Sequence, residues 1–327
     1  MKTPRYFPID RGLYEVAPGL KPLGFSFGNG AFDEKIFQID SEFPLFRENK
    51  LKCRKERLSK YIQTQDLPAE SEKEIVLFLI ERFQKESPEL FQLQKTESKI
   101  ELKANHTNDK MTFSTEGELL LYSSAEAVNP KPLNALDALF LQVPEDIALV
   151  QRDLESKKDW LSYLNLCSPS HWAAEDKIGL NFSAVHKPIP GIDRMLKVAD
   201  SMIEAMIAKG PFVRFVWSFV TDTRLNHHPI APSGEDELSW KGRSFDESAK
   251  EPFYLRIERQ TTFGFPKIQA SLFTIRLSFI PGSEIKADEK MRSQLSSALQ
   301  SMTPESRVYK GVAHCFEALI KFLNPKT

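Results

Sequence analysis

FYLRIERQTT at residues 253–262 and ASLFTIRLSFI at residues 270–280, separated by a short Gly264, Pro266 turn, decide how this chain folds. Both stretches are rich in the β-branched and aromatic residues that suit a pleated, half-buried surface, and the punctuation between them is that of a hairpin. Side chains on a strand alternate between faces, so Arg256, Glu258 and Gln260 share one face and Leu255, Ile257, Arg259 and Thr261 the other. In FVRFVWSFVT at residues 212–221, Arg214 lies among Phe212, Val216 and Val220, and in the last strand Arg276 shares its face with Leu272, Thr274 and Ser278. Each strand thus carries an ionisable group in an apolar setting. Such a group is costly to bury unpaired, so these charges either neutralise one another and fix the sheet or face a ligand. Alternation alone leaves both open.

Two further strands precede these. DIALVQRD at 146–153 and WLSYLNLC at 160–167 are short, apolar and bounded by charged or Pro/Ser-rich turns. Residues 171–190 have the broken rhythm of short helices, punctuated by Gly179, Pro188 and Pro190. Residues 192–209 read as one helix with Met195, Val198, Met202 and Met206 on a stripe and Gly210 as its C-cap. Two strands, short helices, a connecting helix and three antiparallel strands is the element order of a PAS fold. The expected architecture is therefore α+β: a PAS-like antiparallel five-stranded sheet with helices on one face, plus N-terminal and C-terminal helical extensions.

Around this core at 146–280, residues 1–140 read as an N-terminal wrap and helix, and 284–327 as C-terminal helices, all in a single domain of 327 residues. Within the wrap, Ile75, Phe78, Leu79 and Phe83 recur at spacings of three and four and predict a helix over 69–85. Residues 94–125 are polar and weakly alternating, as a hairpin or a variable insertion would be. Residues 232–251 read as a surface loop. Lys286–Ser301 and Pro304–Leu323 read as two helices, the second with Thr303 as N-cap.

Composition narrows the function. With 44 basic and 45 acidic side chains and no Lys/Arg run, no phosphate-tracking stripe exists and nucleic acid is excluded as a partner. The three cysteines, Cys53, Cys167 and Cys315, are too few and too scattered for a disulfide framework or a thiolate cluster. MKTPRYFPIDRG lacks the apolar stretch of a secretory peptide, and the longest apolar run, Ile75 to Ile80, is too short for a bilayer. No membrane partner is expected, and a cytoplasmic location is. GFSFGNG at 24–30 lacks the GxGxxG order of a dinucleotide loop.

Among the six histidines, His106 sits in a polar stretch, His314 near the end, and His171 in CSPSHW, where it caps or packs. His227 and His228 are adjacent at a turn and point in different directions, which argues against joint ligation of one metal. His186, in AVHKPIPG, is held by two prolines and a glycine just before a helix. A rigidly presented imidazole is what an axial iron ligand requires. On spacing alone a satisfied structural histidine is the favoured reading.

Several stretches together resemble one family. PSHWAAEDKIGLNFSAVHKPIPG is similar to its Pro-Ser-x-Trp…Lys-x-Gly…Ile-His-x-Pro-Val-Pro signature. RFVWSF is similar to its Arg-x-Asn-Trp strand, RIERQT to Arg-x-Glu-Arg-Gln-Thr and LFTIR to Phe-Thr-Ile-Arg. FQIDSEFPLFRENKLKCRKERL and VPEDIALVQRD agree in spacing. The family is that of haem-dependent oxidative N-demethylase alpha-subunit-like proteins, and the likeness covers nearly the whole chain. It implies a haem-binding PAS fold carrying haem b, with a small secondary amine such as dimethylamine oxidised by dioxygen. It also implies electrons from reductase subunits bearing FMN and a [2Fe–2S] cluster, and transfer of formaldehyde to tetrahydrofolate. By the same resemblance His186 is the iron ligand and Arg214 a fixed positive charge beside the dioxygen site. Glu258 holds an ammonium or takes its proton, Arg256 or Arg276 tunes it, and Trp217 walls the pocket. Two positions depart: the Asn of the Arg-x-Asn-Trp strand is Val216, and the Thr-Tyr after Phe-Thr-Ile-Arg is Leu277, Ser278. A haem PAS module that senses or stores a gas or amine, and a haem-free relic of the fold, are the alternatives.

Overall fold

The computed structural model describes residues 3–324; the first two residues of the expected wrap and the last three of the C-terminal extension lie outside them. In chain order the elements are β1 (Lys21–Pro22), α1 (Phe43–Tyr61), β2 (Ile62–Thr64), α2 (Ala69–Glu86), β3 (Phe91–Lys95), β4 (Ile100–Ala104), β5 (Asp109–Phe113), β6 (Leu119–Ser123) and α3 (Ala135–Phe140). Then follow β7 (Asp146–Arg152), β8 (Asp159–Asn165), α4 (Phe182–His186), α5 (Asp193–Leu196), α6 (Ala199–Ala208), β9 (Phe212–Val220) and α7 (Glu237–Trp240). The chain closes with β10 (Tyr254–Phe265), β11 (Ala270–Pro281), α8 (Gly282–Ala287), α9 (Glu289–Gln300), α10 (Pro304–Tyr309) and α11 (Phe316–Leu323).

All five strands read from the sequence form, in one antiparallel sheet of order β1-β9-β10-β11-β7-β8-β2. The sheet has seven strands rather than five. β1 adds two residues beside β9 and β2 three beside β8, runs too short to show any alternation. The stretch 94–125, expected as a hairpin or insertion, belongs to a second, four-stranded meander β3-β4-β5-β6 over residues 91–123. Its buried residues Leu102, Met111 and Phe113 pack in one cluster with Ile75, Leu79 and Phe83 of α2.

Register gives the central sheet two unlike faces. One, the site face, carries Arg214, Val216 and Ser218 of β9 opposite Gln260, Glu258 and Arg256 of β10, with Ile275 and Leu277 of β11 beyond. The other, the core face, carries Phe215, Trp217 and Phe219, then Leu255, Ile257 and Arg259, then Thr274 and Arg276. Helices cover both faces, not one. Tyr6 and Ile9 of the wrap and the C-terminal helices seal the core face over β9 and β10, and α2, α3 and the meander seal it over β11 and β7. On the site face, α6 and Phe182 of α4 pack on Val150 and Phe273, and Trp172 and Leu225 pack on Ile275 and Leu277.

Local chemistry explains where elements depart from the sequence reading. The expected helix at 192–209 is two, α5 and α6, broken at Lys197 and Val198; Val198 is 47% exposed, whereas Met195, Met202 and Met206 are buried. β10 runs through Gly264, which admits the end of α6: a Cβ there would meet the Ile207 carbonyl oxygen at 2.0 Å. The turn falls instead at residues 266–268, ending on Gln269 with φ of 49°. Thr303 does cap α10, its hydroxyl accepting from the Ser306 N–H. The C-terminal helices are interrupted, at Asp288 between α8 and α9 and by a 3-10 turn before α11.

Helix α1 has no hydrophobic stripe because its buried face is charged. Phe43, Phe46, Arg47, Lys50, Cys53 and Arg54 are buried at helical spacing. The Lys50 ammonium donates to the carbonyls of Phe140, Val143 and Glu145 at 2.7, 2.8 and 2.7 Å, Arg47 pairs with Asp109 at 2.9 Å and Arg54 with Asp137 at 2.5 Å. Among the described residues no helix is long and apolar enough to cross a membrane.

Candidate functional site

His186 ends α4, whose first turn is fixed at both flanks. The Asn181 side chain accepts from the Ala184 N–H at 2.8 Å, and the Phe182 N–H donates to Asp159 of β8 at 2.6 Å. The imidazole stacks on Phe182 with centroids 4.1 Å apart, and its Nδ1 lies 2.8 Å from the Phe182 carbonyl oxygen. A carbonyl partner makes Nδ1 the protonated nitrogen and leaves Nε2 with its lone pair free, as metal-binding histidines are arranged. Burial, with the nearby Arg214 charge, lowers the His186 pKa and keeps the ring neutral, the form that ligates.

Within electrostatic reach of His186 lies Arg214, which forms no hydrogen bond or ion pair among the described residues, its Nε being buried without a partner. Burial lowers its pKa and the Glu258 carboxylate opposes that shift. Among the described residues Glu258 in turn accepts only from the Gln260 amide, at 2.9 Å, and has no cation within ion-pair distance. Both are half-buried in the middle of a sheet.

Three residues outside the strands complete this group. Lys310, at the end of α10, is 9% exposed and donates to the Trp217 carbonyl at 2.6 Å, with Tyr14, Trp217 and Tyr309 rings 5.8, 5.9 and 5.8 Å from its nitrogen. Burial pushes its pKa down to about 8; Glu258 opposes this and Arg214 and Arg243 reinforce it. Arg243, in the loop after α7, has an unpartnered Nε and lies against the backbone of Gly311, where a Cβ would sit 2.4 Å from that nitrogen. Burial and the Glu258 charge raise the Tyr309 phenol pKa, so it stays protonated. Sequence reasoning missed all three. Only Gly311, with φ of 72°, hinted at a close approach.

Arg256 shares the site face but is engaged elsewhere. It donates to the carbonyls of Leu225, Ser168 and Pro169 at 3.0, 2.6 and 3.1 Å and to Nδ1 of His227 at 3.0 Å. His227 Nε2 then lies 3.0 Å from Asp222. Burial pushes the Asp222 pKa up, but His227 and Arg224 outweigh it and the carboxyl settles at about 2. His171, with φ of 61°, stacks on His227 at 5.5 Å; burial, with the Arg243 charge, lowers its pKa to about 3, and its Nε2 has no partner among the described residues. Arg256 therefore clamps two loops, 168–169 and 225–227.

Arg276 and Trp217 are not in this group. Arg276 lies on the core face, paired with Asp40 at 2.9 Å and 4.0 Å from the Phe46 ring, so it cannot tune Glu258 directly. Trp217 also points to the core face, edge-on to Tyr14 at 5.8 Å, and only its carbonyl reaches Lys310. Of the remaining histidines, His106 packs on Phe43 and Phe91, His228 packs on Tyr61, and His314 is exposed.

Over residues 30–320 the chain matches the model of the family described as haem-dependent oxidative N-demethylase, alpha subunit-like. The chain belongs to that family. No curated protein matches it. The name of the N-demethylase alpha-subunit-like family carries haem dependence and, as an alpha subunit, partner subunits. The matched span includes His186, Arg214, Glu258, Arg243 and Lys310. Among the described residues no three His, Cys, Asp or Glu side chains converge as a metal site. A lone imidazole suffices where a porphyrin supplies the other iron ligands, so the free Nε2 of His186 fits haem.

Proposed function

We propose that this chain is the haem-binding oxygenase subunit of an oxidative N-demethylase acting on a small secondary amine, the class of dimethylamine, with dioxygen and with electrons from a separate reductase. The observation that carries the reading is the combination of a free His186 Nε2 with an Arg214 and a Glu258 that form no ion pair among the described residues. The order of two strands, short helices and three strands in one sheet supports a PAS-type core over 146–281. Haem b, when bound, supplies the iron at which dioxygen oxidises an N-methyl group to the level of formaldehyde. His186 holds it through Nε2, with the Phe182 carbonyl fixing the ring. Arg214 offers fixed positive charge on the same face as Glu258, where a partly desolvated charge acts more strongly than in water. Glu258 accepts the ammonium N–H and takes its proton, releasing the nitrogen lone pair. FMN, the [2Fe–2S] cluster and tetrahydrofolate belong to the partner subunits in this reading.

Val216 stands opposite Glu258 where the resembled strand carries Asn. Loss of that amide favours a second reading, a haem module that binds an amine without turnover. Formaldehyde release separates them. Haem-loaded protein supplied with dioxygen, a reductant and a secondary amine should release formaldehyde, and Glu258→Gln should weaken amine binding about 10- to 100-fold, as loss of a charge-assisted bond does. Amine binding without formaldehyde would establish the second reading; absence of any amine-dependent change in the haem spectrum would overturn both.

A further inference from the structure

The charges around Glu258 do not balance. Arg214, Arg243 and Lys310 all act on this region, and Glu258 is the carboxylate that acts on Arg214, Lys310 and Tyr309. Bringing a bare dialkylammonium here adds a further cation to a site already in positive excess. Half-buried like charges repel far more strongly than in water. A ligand carrying its own negative group removes that conflict.

The two cations that come from outside the strands, Arg243 and Lys310, are presented for such a group. Loop 221–244 is tied to the end of β9 on both sides of Arg243, by the Thr221 N–H to the Gly242 carbonyl at 2.8 Å and by the Ser244 N–H to the Thr221 hydroxyl at 3.2 Å. Arg224 braces the same loop, stacked 4.3 Å over Trp240 and donating to the carbonyls of Ser239 and Trp240. Gly311 lets the Arg243 guanidinium lie next to Lys310 in the chain, and of the three Lys310 N–H donors only one has a protein partner among the described residues. Fixed, adjacent, under-bonded cations are a carboxylate site.

We propose that Arg243 and Lys310 bind a carboxylate beside Glu258, so that the amine taken by this chain is zwitterionic, an N-methyl amino acid rather than a bare dialkylamine. The ammonium sits on Glu258 and the carboxylate on Arg243 and Lys310. The identity of the reacting methyl group rests on the demethylase reading above; the carboxylate site does not. A haem propionate offers the same chemistry, and the experiment distinguishes the two sources.

Full-length protein, haem-free and haem-loaded, is titrated calorimetrically with N-methylglycine, dimethylamine and acetate. N-methylglycine should bind at least about tenfold more tightly than dimethylamine in both forms, and Lys310→Met and Arg243→Gln should each erase that preference while haem content stays unchanged. Lys310→Arg should retain it, which separates loss of charge from loss of fold. Equal affinities for the two amines in wild-type protein overturn the proposal. So does a preference that vanishes on haem loading, with both neutral variants losing haem, because the carboxylate is then a propionate. A preference that persists in a chain showing no haem band leaves the site standing and sinks the demethylase reading instead.

Discussion

On the core face of the central sheet Arg259 donates to the carbonyls of Lys35 and Ile36, and Arg276 pairs with Asp40. One residue away on the site face, and among the described residues, Arg214 has no hydrogen-bond or ion-pair partner and Glu258 holds only the Gln260 amide. The core-face pair is fully buried and the site-face pair half-buried, so the better-buried charges are the ones the fold has paired. The core face is closed by the wrap, which brings carbonyls and carboxylates with it; the site face is roofed by α4 and α6, whose inward residues Phe182, Ile203 and Met206 are apolar. Buried charge that the fold compensates is structural, and buried charge that it leaves uncompensated marks a ligand site.

That contrast can be broken by substitution. Arg276→Met strands the buried Asp40 carboxylate and should lower unfolding stability by roughly 3–5 kcal/mol in chemical denaturation. If stability holds, the core-face charges are not structural. Arg256→Met removes the clamp on residues 168–169 and 225–227 and should lower stability by about 2–3 kcal/mol, with faster amide exchange confined to those loops. Lys310 provides a pH-dependent check. Its pKa is about 8 in the fold and returns to the ordinary 10.5 on unfolding, so the unfolded chain binds more protons between those values. Stability should therefore rise with pH from about 8 towards 10.5, by about 1–3 kcal/mol, and Lys310→Met should flatten that rise. The smallest effect belongs to the site face: Arg214→Met should change stability by less than about 1 kcal/mol, since no partner is lost. A loss as large as that of Arg276→Met would erase the distinction between the faces.

Much of this was legible because alternation is a local property. The face shared by Arg256, Glu258 and Gln260 follows from period two, as does the placing of Arg259 opposite. Alternation within one strand says nothing about its register against the next, so it put Arg214 and Trp217 on opposite faces but could not show that Arg214 joins the Glu258 face while Arg276 leaves it. Nor could it show that Arg256 meets carbonyls from loops 30 to 90 residues away. Helix α1 was hidden because Arg47, Lys50 and Arg54 occupy positions where an apolar stripe is sought. Arg243 and Lys310 reach the site from a loop and a helix end with no pattern of their own. His186 was singled out by its rigid AVHKPIPG setting and given a ligand role by the family resemblance; the bond from its Nδ1 to the Phe182 carbonyl could be read only from the structure.

The absorption spectrum of purified protein supplied with haem tests the central claim most directly. An unpaired site face beneath a His186 with a free Nε2 predicts a Soret band at one haem per chain that disappears in His186→Ala. An undiminished, unshifted band in that variant would contradict the assignment of His186 as the iron ligand and, with it, the reason given for the uncompensated Arg214 and Glu258.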